Sequence, residues 1–176
     1  MKLKGKKVFL RYPKPEDFAE FSALGKASRK FHKNLVSPPV DRKSFDEYLE
    51  RSKSEANESF LICRVSDEAI IGTINLSQIF RKSFQNAYLG YLLFEKFTGF
   101  GLMTEAVELI LGYAFKTLKL HRVEANVQPR NTASIKVLQK TNFTKEGFST
   151  KYLKIGGRWR DHERWAIIVE DWRKNI

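Results

Sequence analysis

A chain of 176 residues, 42% hydrophobic and 13% aromatic, fits one domain with a real core and is too apolar to be disordered. Its single cysteine, Cys63, rules out an internal disulfide and fits a reducing, cytoplasmic setting, and no stretch approaches the ~20 apolar residues of a membrane span. The formal net charge of +12 favours an acidic partner (RNA, a ribonucleoprotein, a phosphate-rich cofactor or an acidic protein surface), although a well-solvated basic surface has the same composition.

The basic residues Lys2, Lys4, Lys6 and Lys7 precede an apolar run that is too short for a signal peptide and is broken by Arg11. Lys7 to Tyr12 alternates as a first strand. Pro13 to Asp17 opens a helix with proline early and acids in its first turn; Phe18, Phe21 and Leu24 form its apolar face, and Gly25 weakens its end. Arg29 to Pro39 is irregular and is either a substrate-facing loop or a plain connector. Asp41 caps a helix expected to run to about Ala56 with Phe45, Tyr48 and Leu49 on one face. Ser59–Val65 and Ala69–Ile79 read as an antiparallel hairpin around Ser66-Asp67-Glu68, with Cys63 as a small buried hydrophobe.

Ala87 to Phe94 is an apolar strand. It ends in a short loop holding Gly99 and Gly101, and an apolar-periodic helix, Leu102 to Leu118, follows directly. Strand, glycine turn and helix start in that order can cradle an anion. Glycines bring backbone close to a ligand, and the first free N–H groups of the helix point at it with the positive dipole end behind them. An ordinary strand-to-helix turn has the same spacing. Glu105, Glu108, Gly112, Lys116 and Lys119 make one narrow polar stripe, so the helix is buried on most sides. A strand from His121 to Val127 follows. Asn131 then caps a helix to about Lys140, and Phe143–Ile155 and Trp159–Val169 form a final hairpin around Gly156-Gly157. No zinc-finger spacing, RNP-like strand or helix-turn-helix is present, so nucleic-acid contact would be accessory.

This order of parts resembles the GNAT superfamily of N-acetyltransferases. Lys96-Phe97-Thr98-Gly99-Phe100-Gly101 resembles the superfamily's Gln/Arg-x-x-Gly-x-Gly/Ala pyrophosphate loop, with lysine at the first position, and Met103-Thr104-Glu105-Ala106 resembles its helix start. The chain is most similar to the RimJ/RimL group of ribosomal-protein alanine N-acetyltransferases, and to the RimJ branch within it. The points of contact are Val8-Phe9-Leu10-Arg11, Asn131-Thr132-Ala133-Ser134, Asn142-Phe143, Tyr152-Leu153, Ile155-Gly156 and Trp159-Arg160-Asp161-His162. A dinucleotide loop would want a third glycine at Thr104, and a Walker loop needs Gly-Lys-Ser/Thr. The fold class expected is one α/β (α+β) domain over residues 1–176, with a mixed, mostly antiparallel sheet of about seven strands flanked by helices.

The resemblance implies acetyl-CoA as cofactor. The backbone of Leu92, Leu93 and Phe94 would pair with its pantetheine arm, and the loop from Lys96 and Gly99 through Phe100, Gly101, Leu102 and Met103 to Thr104 would hold its pyrophosphate. It implies Ser134 as the acid that protonates the leaving thiolate, with Asn131 holding the cofactor arm or a water; helix capping alone explains the same two residues. Leu138 stands where many acetyltransferases carry a tyrosine acid, and Leu153 where RimL-like enzymes offer a glutamate base, which leaves a water chain, Glu95 or a group of the substrate as the alternatives for the base. Asp161 and His162 point to opposite faces of a strand, which fits a structural role. The implied acceptor is the N-terminal alanine of a ribosomal protein, met by a monomer or homodimer with possible ribosome or rRNA contact through the basic surface. A small amine, antibiotic or lysine side chain is the alternative acceptor, and a non-catalytic CoA-binding module the alternative of another class.

Overall fold

A computed structural model describes residues 2–52 and 54–174. Its strands are β1 (Lys2–Lys4), β2 (Val8–Arg11), β3 (Glu58–Arg64), β4 (Ile70–Phe80), β5 (Asn86–Leu93), β6 (Arg122–Val127), β7 (Thr144–Ile155) and β8 (Arg158–Ile168). The helices are α1 (Phe18–Ala27), α2 (Arg42–Ser52), α3 (Leu102–Gly112), α4 (Thr132–Lys140) and α5 (Val169–Arg173). The strands join in one sheet of order β1-β2-β3-β4-β5-β6-β8-β7. Every neighbouring pair is antiparallel except the central β5 and β6, which α3 connects as a crossover.

The central strands are the most apolar, and they are buried on both faces. Phe60, Leu61, Ile62 and Cys63 of β3 and Ile71 and Ile74 of β4 are fully buried. Burial pushes the Cys63 thiol up to about 11, so it stays protonated and unreactive. Met103, Ala106, Val107 and Ile110 of α3 are buried, and Glu108, Lys116 and Lys119 of the polar stripe are exposed. An aromatic cluster ties α1 and α2 to the end of β5: Phe21 lies 5.4 Å from Phe45 and edge-on, 5.3 Å, to Phe94. Each such ring contributes ~1.5–3 kcal/mol by leaving water, so the chain just before the glycine loop is firmly anchored.

Several boundaries differ from those the sequence predicts. The sheet has eight strands because β1, three residues rich in lysine, pairs with β2. α1 runs past Gly25 to Ala27, since the missing side chain lets Val40 and Pro38 pack close. α2 stops at Ser52 instead of Ala56: the Ser52 hydroxyl donates to Leu49 O (2.6 Å), and Ser54 N–H turns back to Arg51 O. α3 is regular only to Gly112, and a π turn, Tyr113–Thr117, completes the predicted helix, with Leu118 N–H reaching Tyr113 O five residues back. That turn aims the Tyr113 hydroxyl at Glu58 (3.0 Å), which also accepts from Tyr12 (2.8 Å). The short α5 was not predicted; it exists to seat Trp172 against Phe115, 5.3 Å away.

Candidate active site

The two central strands part company. β5 and β6 are paired only from Asn86/Arg122 to Tyr88/Glu124. Beyond that point β5 continues to Leu93 against β4, and β6 continues to Val127 against β8. A sheet edge is thereby opened in the middle of the sheet, offering unpaired backbone groups to an extended ligand. Phe94 N–H donates to Ile71 O of the neighbouring chain segment (2.9 Å). Across a trans peptide the preceding carbonyl points the opposite way, so Leu93 C=O faces the gap. Strand alternation then puts the backbone groups of Leu93 and Tyr91 on the open edge and those of Leu92 toward β4. Of the three residues expected to pair with a pantetheine arm, Leu93 alone presents both its N–H and its C=O to the gap, and Tyr91 is the next such residue along the strand.

The glycine loop begins at the wide end of this gap. Phe97 is buried and anchors it, Phe100 is 66% exposed at its tip, and Leu102 and Met103 are buried where α3 starts. Gly99 and Gly101 have φ of +87° and +74°, a left-handed conformation that costs any other residue ~1–2 kcal/mol. A Cβ at either would meet no protein atom within 4 Å, so both glycines open onto free space. The N–H groups of Gly99, Phe100 and Gly101 have no acceptor among the described residues. Those of Leu102, Met103 and Thr104 are the first of α3 and have none within the helix. Six consecutive donors at a helix start, approachable because of two glycines, fit a pyrophosphate. Lys96 is exposed, with its ammonium 4.8 Å from the centre of the Phe97 ring. Glu105, which the polar stripe had left outward, instead accepts from the N–H groups of Lys6 and Lys7 and ties the β1–β2 turn to α3.

The other side of the gap is α4. The Asn131 side chain caps it by accepting from Ser134 N–H (3.2 Å). The Ser134 hydroxyl lies 2.7 Å from the Tyr91 hydroxyl, which also donates to Ser134 C=O (3.3 Å). Asn131, Ser134 and Tyr91 therefore form one assembly spanning the split between β5 and α4. Burial pushes the Tyr91 phenol up to about 12, the bond to Ser134 opposing it only in part. Tyr91 escaped the sequence reading because Leu89-Gly90-Tyr91-Leu92-Leu93 reads simply as an apolar strand; a hydroxyl inside such a run is the signal that could have found it. Leu138, one turn further along α4, is fully buried in the core. Leu153 is partly exposed on β7, Asp161 accepts from Lys151 N–H (2.7 Å), and buried His162 bonds Arg160 O through Nδ1 (2.9 Å), so these last two hold the hairpin.

The irregular stretch after α1 straps the mouth of the gap. The Ser28 hydroxyl accepts from Glu95 N–H (3.0 Å), and His32 Nε2 bonds Leu93 O (3.0 Å). Asn34 O accepts from the Gln128 side chain (2.9 Å), just past the end of β6. The strap thus joins the ends of both parted strands. Burial lowers the His32 pKa, so at neutral pH the ring is neutral and Nε2–H is the donor.

The chain is 41% identical over 177 residues, 96% of its length and 98% of the relative's, to a probable N-acetyltransferase, YjcK, of Bacillus subtilis. A ribosomal-protein-S5-alanine acetyltransferase from Vibrio fischeri superposes with a TM-score of 0.86 at 29% identity, covering 98% of each chain. Mycobacterium smegmatis RimJ in complex with CoA-disulfide superposes with a TM-score of 0.85 at 28% identity, covering 93% of this chain and 82% of that one. The acetyltransferase (GNAT) domain matches residues 7–144, and enzymes of that family use acetyl-CoA. On this match and these likenesses, the chain belongs to the GNAT family of acetyltransferases.

Proposed function

We propose that this enzyme acetylates a protein α-amino group, that of the N-terminal alanine of a ribosomal protein. The likeness over 98% of both chains to a ribosomal-protein-S5-alanine acetyltransferase supports that acceptor. Bound acetyl-CoA supplies an activated thioester. The protein's part is to hold the pyrophosphate with the N–H groups from Gly99 to Thr104, with Lys96 adding a cation beside the loop. The open edge at Tyr91 and Leu93 aligns the arm. Ser134 Oγ–H donates to the sulfur as the C–S bond breaks and the C–N bond forms. The nitrogen gives up one proton as the C–N bond forms, and that proton restores the Ser134 hydroxyl, so the products are the amide and the free thiol.

The resemblance favours an α-amine over a lysine or an aliphatic polyamine, because it puts Leu153 where a RimL-like enzyme offers a carboxylate base. An α-amino group with pKa ~7.7–8.0 is already a quarter or more neutral near pH 7.5, whereas a lysine amine at ~10.4 is neutral only about once in a thousand. With a leucine at that position, an α-amine, which needs little help from a base, is the favoured acceptor, and +12 net charge suits docking on a ribonucleoprotein or an acidic patch. The test is to incubate the enzyme with acetyl-CoA and purified ribosomal proteins and read their N-termini by mass spectrometry. Acetylated alanine on one ribosomal protein is the expected result. Acetylation confined to small amines or lysine side chains would refute the acceptor assigned here.

A further inference from the structure

Ser134 is a weak acid, and its usefulness depends on where its single hydrogen points. It has one possible partner among the described residues on the hydroxyl, the Tyr91 phenol at 2.7 Å. If Ser134 donates to Tyr91, its hydrogen is spent within the protein and none is left for the sulfur. If Tyr91 donates, the Ser134 oxygen accepts and its own hydrogen is free to turn into the gap. The second contact bears on this. Ser134 C=O can only accept, and it lies 3.3 Å from the same phenol oxygen, so the phenol hydrogen points to the Ser134 side; of the two oxygens there, the hydroxyl at 2.7 Å is the nearer acceptor.

We propose that Tyr91 is a positioning residue for acetyl transfer: by donating to Ser134 from across the split in the sheet, it fixes the Ser134 rotamer and turns the serine hydrogen toward the departing sulfur. This rests on the assignment of Ser134 in the proposed function. Tyr91 keeps its own proton throughout. Its hydrogen is held on the Ser134 side by the hydroxyl and the carbonyl together, and burial raises the phenol pKa, so Tyr91 stays protonated as it holds the serine. The device also explains a combination in this sequence. With the acidic tyrosine position of α4 occupied by the buried Leu138, the hydroxyl that faces the gap from α4 needs an aligning partner from outside the helix. β5 supplies one because its backbone is already displayed there, unpaired, at the same point.

The experiment is a double-mutant cycle on the full chain, measured as steady-state acetyl transfer. Tyr91→Phe keeps the ring and removes only the donor. It should lower kcat roughly 10- to 100-fold with KM for acetyl-CoA within about twofold, the signature of an interaction used in the chemical step. Ser134→Ala should lower kcat roughly 10²–10⁴-fold. The decisive outcome is the pair: Tyr91→Phe in the Ser134→Ala background should cost nothing further. An additive loss would show Tyr91 acting independently of Ser134 and would overturn the proposal, as would an unchanged kcat for Tyr91→Phe. If Tyr91→Phe fails to fold, Ser134→Thr reports instead, because a hydroxyl that can still accept from Tyr91 should retain most of the turnover that alanine loses; equal loss in both overturns the alignment. A wild-type enzyme with no turnover on any amine would sink the proposed function and this inference together, whereas turnover unaffected by Tyr91→Phe sinks the inference alone.

Discussion

Replacing Gly101 separates a ligand cradle from a mere turn. Its φ of +74° means that any side chain is strained by ~1–2 kcal/mol. For a domain of this length each kcal/mol moves Tm by roughly 2–4 °C, so Gly101→Val should melt roughly 2–8 °C lower. No protein atom lies within 4 Å of the position a Cβ would take, so the valine methyls obstruct nothing but a ligand. Losing even two charge-assisted N–H bonds to phosphate, each worth ~1.5–3 kcal/mol, should raise Kd for CoA by about 10²–10⁴-fold. Calorimetry measures this directly, and melting in the presence of CoA checks it. At ~100 times Kd the wild type gains about 2.7 kcal/mol, roughly 5–11 °C, and the variant should gain at most about 0.4 kcal/mol, under 2 °C, at the same CoA concentration. A Gly101→Val protein that melts lower yet binds CoA with wild-type Kd would show that the glycine serves the turn alone, and the pyrophosphate assignment would fall with it.

Three further outcomes follow from the same geometry. Gly112→Ala, in a helical position with no neighbour within 4 Å of a Cβ, should raise stability by ~0.5–1 kcal/mol in denaturant unfolding and leave CoA affinity unchanged, which also controls for nonspecific effects in α3. Glu105→Ala leaves the N–H groups of Lys6 and Lys7 to water and should cost ~0.5–1.5 kcal/mol by the same measurement; no measurable change would mean the β1–β2 turn is held by its strands alone. His32, whose folded pKa lies below its ordinary 6.5, binds more protons unfolded than folded, so its contribution is whole above pH 6.5 and is lost as pH falls beneath it. Unfolding free energies between pH 7 and 5 should therefore drop with a slope of up to ~1.4 kcal/mol per pH unit from this residue, and His32→Gln should flatten the curve.

Periodicity and capping residues made most of the architecture legible before any coordinates. The strand–glycine–helix order located the loop, and Asn131 was readable as a cap because a side-chain oxygen three residues ahead of Ser134 N–H is the common solution at a helix start. What could not be read is where pairing between β5 and β6 stops. Both strands look continuous in sequence, since each remains paired on its other side, and a split is a property of two segments more than thirty residues apart. Tyr91 was hidden for the same reason, as its partner lies 43 positions away on α4. The strap was visible only as irregularity; its hydrogen bonds join residues 61 to 94 positions apart and leave no local pattern.

The two leucines at the positions where the resemblance leads one to expect an acid and a base look at first like signs of lost catalysis. Leu138 does not count against turnover, because it points into the core, fully buried, while the hydroxyl of Ser134 is the group from α4 that meets β5. Leu153 bears on the choice of amine more than on the existence of a reaction, since only an amine that is substantially neutral near pH 7.5 can do without a fixed base. The strap then adds a constraint of its own. His32 bonds the Leu93 carbonyl that an extended arm would use, and Ser28 holds the next chain segment through Glu95. The carbonyl has a second lone pair, so an arm that pairs with Leu93 C=O would share it with the imidazole and lie against the strap, which places residues 28–34 where they can sense the thioester and shape the mouth that the acceptor amine meets.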